Sequence, residues 1–137
     1  MEAEERAAVI DGLALTYLPD GLGSASDFEF EWGGVAFMQR VWEAEVEPGV
    51  WRVDLQVQVM RGDRLADREA LRGFWVEYHE KDGDWSGEPF GDDGFAGPRE
   101  VALLIEPGLA AEVRDPFERR GMDEIERTAR GLRLIEL

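Results

Sequence analysis

Val-Trp-Arg-Val-Asp-Leu-Gln-Val-Gln-Val-Met, residues 50–60, decides the fold class. Trp51, Val53, Leu55, Val57 and Val59 occupy every second position, with Arg52, Asp54, Gln56 and Gln58 between them. A strand turns successive side chains to opposite faces, whereas a helix needs apolar residues three and four apart. The stretch therefore reads as a strand with five apolar residues on one face and the polar ones on the other. Glu47-Pro48-Gly49 makes the turn before it, with proline presetting φ for a type I or II turn.

Upstream, Val35–Val46 reads as the antiparallel partner of this strand. It follows Gly33-Gly34, a pair suited to a tight hairpin. Phe28, Phe30 and Trp32 alternate with Glu29 and Glu31, the pattern of a strand with one wet face. Residues 20–27, "DGLGSASD", read as a turn, and Leu13, Leu15 and Tyr17 as a first strand ended by Pro19 and Gly21. Downstream the period changes. Leu71, Phe74, Trp75 and Tyr78 are spaced as one helical stripe, with Asp63 or Asp67 to cap its start and Gly83 to close it. Four aromatic or aliphatic side chains in a stripe cover a sheet more readily than they cage a ligand.

Val101–Ile105 and Leu109–Val113 read as two strands joined by Pro107-Gly108, a type II turn pair. Met122, Ile125 and Ala129 mark a short helix closed by Gly131, and 132–137 a last strand or a docked tail. The order β-β-β-β-α-β-β-α-β predicts an α+β fold: a largely antiparallel sheet of six to seven strands with two helices on one side. Residues 1–11 read as an N-terminal segment free to move, and 12–137 as a single domain. Trp42, Met38 and Arg40 face away from Val35, Phe37 and Val41, so the second face of the sheet also needs a cover. The terminal segment or the second helix is expected there, with a partner or apolar ligand as the competing occupant.

Composition narrows the function. The chain has 137 residues, 44% hydrophobic with five tryptophans, enough for one sizeable core. Its 31 acidic residues face 15 basic ones, a formal net charge of −16. That balance excludes binding to nucleic acid, which needs clustered Lys and Arg, and disfavours anionic membranes. A basic protein partner, cations or simple solubility remain. The absence of cysteine removes thiol nucleophiles, disulfides and thiolate metal sites. The first residues are acidic where a secretory signal is basic, and no run reaches the ~18 apolar residues of a membrane span. The expected location is cytoplasmic for the chain as it stands, and extracytoplasmic if it is a piece of an anchored protein.

One stretch suggests metal chemistry. With Asp82 as position 1 of a 12-residue calcium loop, Asp84 falls at 3, Ser86 at 5, Gly87 at 6, Glu88 at 7 and Asp93 at 12. These are the oxygen-donor positions, with glycine at the bend. Against this, Asp93 is shorter than the usual glutamate, and Gly94, Gly97 and Pro98 disfavour an outgoing helix. An acidic helix-to-strand connection is the plainer reading, with weak calcium binding as the alternative. His79 is the sole histidine and, beside Glu77 and Glu80, reads as a surface residue. Glu29 and Glu31 share a strand face, but exposed strand faces carry such pairs routinely. No catalytic constellation emerges.

The segments "GLALTYLPDGLG", "FMQRVWE", "EPGLAAEV" and "DEIERTARGL", in this order around one long alternating strand and one helix, resemble small actinobacterial domains of unknown function. In those families a closing helix precedes a terminal strand, and the domain often follows a membrane anchor or an anti-sigma-type segment. The element order is also similar to that of PsbP-like α/β/α sandwiches. The resemblance implies a binding or accessory domain without catalysis and carries over no functional residues. The expected function is thus a non-catalytic domain that engages a protein partner, a homodimer mate or a small apolar ligand through its sheet.

Overall fold

The computed structural model describes residues 8–79 and 87–135. Strands β1 (Ala8–Ile10), β2 (Leu13–Leu15), β3 (Ser24–Trp32), β4 (Val35–Glu47) and β5 (Val50–Arg61) precede helix α1 (Arg68–Tyr78). Strands β6 (Glu88–Phe90), β7 (Gly94–Ala96), β8 (Glu100–Glu106) and β9 (Leu109–Arg114) lead to helix α2 (Met122–Arg130) and β10 (Leu132–Leu134). Seven strands form one antiparallel sheet in the order β3-β4-β5-β9-β8-β7-β6, and β1, β2 and β10 form a second. The predicted α+β class and antiparallel sheet are present, with the two helices. The architecture around them is larger than expected.

Alternation along β5 and β9 sorts the core into two layers. Leu55, Val57 and Val59 of β5 pack with Ala111 and Val113 of β9, Ile125 and Ala129 of α2, and Ile10, Leu13, Leu15 and Leu132 of the small sheet. Their neighbours Met60 and Ala110 turn the other way and meet Phe37, Leu71 and Phe74. So α1 covers one face of the large sheet, while α2 and the small sheet cover the other. Two helices on one side is therefore corrected to one helix on each. The reason is the apolar content of both faces: Trp42 and the partly buried Met38 lie in the α2 layer, as the need for a second cover implied.

Four further differences have local causes. First, Leu13–Leu15 leaves the main sheet because β10 and β1 pair with it on either side. Ile10, read as part of a free segment, is buried in that layer. Second, Ser24–Asp27 is strand rather than turn, paired residue for residue with Arg40–Glu43. Gly23 permits the approach, since a Cβ there would lie 2.0 Å from the Glu43 carbonyl oxygen. Third, the acidic connection contains the β6–β7 hairpin, whose Pro89 sits on the outermost strand, where a missing N–H costs least.

The fourth difference falls in the deciding stretch itself. Trp42 pairs with Leu55 but Glu43 pairs with Val53, so Asp54 is the extra residue of a β-bulge. Trp51 and Val53 consequently point to the α1 side, opposite to Leu55, Val57 and Val59. Asp54 is buried and held by Arg52 Nε at 2.7 Å. Its neighbour in space, Arg120, bonds the carbonyls of Asp20 and Gly21 at 2.9 and 3.0 Å, tying the β2–β3 connection to the entry of α2. That entry is ordered by the Asp115 carboxylate, which accepts from the backbone N–H groups of Arg119, Arg120 and Gly121.

Two glycines separate backbone crowding from helix propensity. A Cβ at Gly94 would lie 2.7 Å from the Ala102 carbonyl oxygen and 2.9 Å from that of Phe90, both rigid backbone. Gly94→Ala is expected to cost about 1–3 kcal/mol. Gly73, exposed in α1 with open space around it, should gain about 0.5–1 kcal/mol as Gly73→Ala. Urea unfolding midpoints of the two variants should therefore move in opposite directions.

Candidate functional site

The register of the large sheet aligns one residue from each strand into a rung. Phe28, Gln39, Gln58, Glu112, Ala102, Phe95 and Pro89 are successive cross-strand partners from β3 to β6. At the centre Glu112 is fully out of water. Its Oε1 accepts from Gln58 Nε2 at 2.7 Å, and Gln58 Oε1 in turn accepts from Gln39 Nε2 at 2.8 Å. Its Oε2 accepts from the Trp75 indole at 2.7 Å and lies 2.7 Å from His79 Nε2. Trp75 and His79 are four residues apart, so α1 presents both on one face.

Burial pushes the Glu112 carboxyl up. The hydrogen bond and charge of His79, the Trp75 N–H and the charge of Arg114 outweigh it and hold the group below the ordinary carboxylate value. Burial and the Glu112 charge also push the Tyr78 hydroxyl up, although its hydrogen bond with Gln58 opposes this.

Beside this rung runs an aromatic one. Phe30 stacks on Phe37 with centroids 4.7 Å apart, and Tyr78 stacks on Phe37 at 4.9 Å. Trp32 meets Phe74 and Tyr78 edge-on at 5.6 and 5.2 Å. The rings continue outward onto β3, where Phe28, Phe30 and Trp32 remain 49%, 38% and 38% exposed. All nine residues of β3 are exposed, and among the described residues the strand has a partner on one side only. Its pairing with β4 runs from Ser24 to Trp32 without a register shift. Alternate N–H and C=O groups thus point away from the sheet along some 30 Å of regular strand.

The residues singled out in the sequence have different fates. Asp82, Asp84 and Ser86 lie outside the described residues. Glu88 opens β6 opposite Ala96, and Asp93 closes the turn at the other end of the same hairpin. Among the described residues no three His, Asp or Glu side chains gather as metal ligands. Glu29 and Glu31 lie on the exposed strand β3. His79, read as a surface residue, is instead 13% exposed at its side chain and bonded to a buried carboxylate. Glu112 was not anticipated, although an acid inside "LAAEV" and a single histidine elsewhere were the available signal.

A cleft of about 600 Å³ lies between the β6–β7 hairpin and α2, with Pro89, Ala96, Pro98 and Met122 as apolar lining and Glu88 and Glu126 as its charges. Its described lining contains no histidine or hydroxyl nucleophile. Among the described residues no helix is long and apolar enough to cross a membrane. Comparison of the chain with protein-family models, curated proteins and solved structures returns no match.

The depressed Glu112 group sets a pH dependence. A carboxyl held lower in the folded chain contributes stability that is present above its unfolded value of about 4.3 and is lost as pH falls through the folded value. Thermal denaturation is expected to show falling stability from about pH 5 downward. Glu112→Gln should flatten that part of the profile and cost roughly 1–3 kcal/mol at pH 7, because Gln58, Trp75 and His79 lose a charged acceptor.

Proposed function

We propose that the chain is a non-catalytic binding domain whose site is the outer edge of β3 with its aromatic row. The observation that carries this reading is a nine-residue regular strand, exposed throughout, at the margin of the large sheet. Sheet edges are normally shortened, bulged, interrupted by proline or covered, because free main-chain groups invite another strand. β6, at the opposite margin, follows that rule: it is three residues long and contains Pro89. β3 does not. Strand addition at such an edge draws affinity from main-chain hydrogen bonds and selectivity from alternate side chains. Phe28, Phe30 and Trp32 supply large rigid contact area of the kind enriched at protein interfaces.

The resemblance to accessory domains supports the same class of role. The single histidine is committed to Glu112, which favours a structural over a catalytic use of that pair. No observation among the described residues favours the calcium alternative.

Photo-crosslinking tests the proposal. Benzoylphenylalanine placed at Phe28 should form a discrete adduct with a second polypeptide in cells that make the protein. The same probe at Phe117, equally apolar and 59% exposed but outside β3, should not. Equal yields at the two positions, or none at Phe28, would overturn the assignment of the site.

A further inference from the structure

We propose that the segment received by β3 is an extended cationic strand, in which Lys or Arg alternates with apolar residues and adds antiparallel to the β3 edge. The inference rests on the binding reading above and specifies its partner. Alternation divides β3 into two rows. Phe28, Phe30 and Trp32 lie toward the α1 side, and Asp27, Glu29 and Glu31 toward the other. Asp27 is neutralised within the chain by Arg40, through bonds of 2.6 and 2.9 Å. Glu29 and Glu31 stand opposite Met38 and Ala36, and no cation among the described residues pairs with them.

A strand added at the edge brings its side chains close to those of β3 on both faces. One face of the incoming strand meets rings, and the other meets two carboxylates that lack a counter-charge. A basic–apolar alternation satisfies both at once. A second copy of this chain does not: two-fold pairing through β3 sets the acidic row against itself, between molecules that each carry −16. Opposite charge across the edge also steers encounter, and it makes the association sensitive to salt.

The test uses the full chain and capped nine-residue peptides: alternating Val-Lys, alternating Val-Thr, alternating Val-Glu, and Val-Lys with N-methylated amides on alternate residues. Binding is read by fluorescence anisotropy of labelled peptide, and its location by hydrogen–deuterium exchange over residues 24–32. At low salt the Val-Lys peptide should slow exchange over 24–32 and bind about tenfold tighter than Val-Thr, with the gap closing in 0.5 M salt. N-methylation should abolish binding. The double variant Glu29→Lys, Glu31→Lys should prefer Val-Glu, and its unfolding midpoint will show that it is folded.

Equal affinity for Val-Thr and Val-Lys, with 24–32 protected by both, would overturn the cationic partner and leave the edge as the binding site. Val-Lys binding without protection of 24–32, or unaffected by charge reversal, would mark indiscriminate attraction to an acidic protein and overturn the proposal. Protection of 24–32 in the protein alone, rising with concentration together with a doubled mass, would make a second copy the occupant. No protection by any peptide would remove both this inference and the reading beneath it.

Discussion

A carboxylate buried without water must be met by fixed donors, because an uncompensated buried charge costs several kcal/mol. Glu112 draws its donors from separate parts of the chain: Gln58 from β5, and Trp75 and His79 from α1. That requirement fixes how α1 lies on the sheet. Rotating the helix by one residue would carry both rings about 100° away from the carboxylate. With α1 so placed, Phe74 and Tyr78 meet Phe37 and Trp32, and the aromatic row of β3 gains its backing. The exposed edge is thus positioned by a polar interaction two strands away from its neighbour β4.

The parts of the fold that were legible in the sequence are those where periodicity speaks directly to side-chain direction. Phe28–Trp32, Val35–Val46 and the two helical stripes belong here. What periodicity cannot report is the partner. The alternation of Leu13 and Leu15 identifies a strand but not which sheet it joins. Ser24–Asp27 has turn-like composition, and pairing with β4 overrides it. Gly94 disfavours an outgoing helix, yet it is compatible with a short strand, and β7 begins there. Glu112 was hidden for a related reason: a single acid in a strand signals a wet face unless the donors converging on it, 37 and 54 positions away for Trp75 and Gln58, are known.

The candidate site was legible only in part. The alternation of Phe28, Phe30 and Trp32 with Glu29 and Glu31 is plain in the sequence, but alternation alone implies a buried aromatic face. Burial there depends on whether α1 reaches across β3. The rings of α1 meet Phe37 and Trp32, and Phe28, Phe30 and Trp32 stay partly exposed. The two margins of the sheet then differ in kind: one short and carrying proline, the other long, regular in register and aromatic.

The bulge at Asp54 divides β5 into two lengths that answer to different demands. From Leu55 onward the strand sits between two covered faces, and a change of one methylene is felt in close packing. Before it, Val50–Val53 belong to a projecting hairpin where Val50 and Trp51 are about half exposed. Loss of Val53, between the turn and the bulge, would bring Arg52 opposite Glu43 and turn Arg52 and Trp51 each to the other face of the sheet. The hairpin tip is therefore free to drift in composition but not in length. In a lineage of such chains, residues 50–53 should vary in identity while the spacing from the turn to Leu55 stays constant.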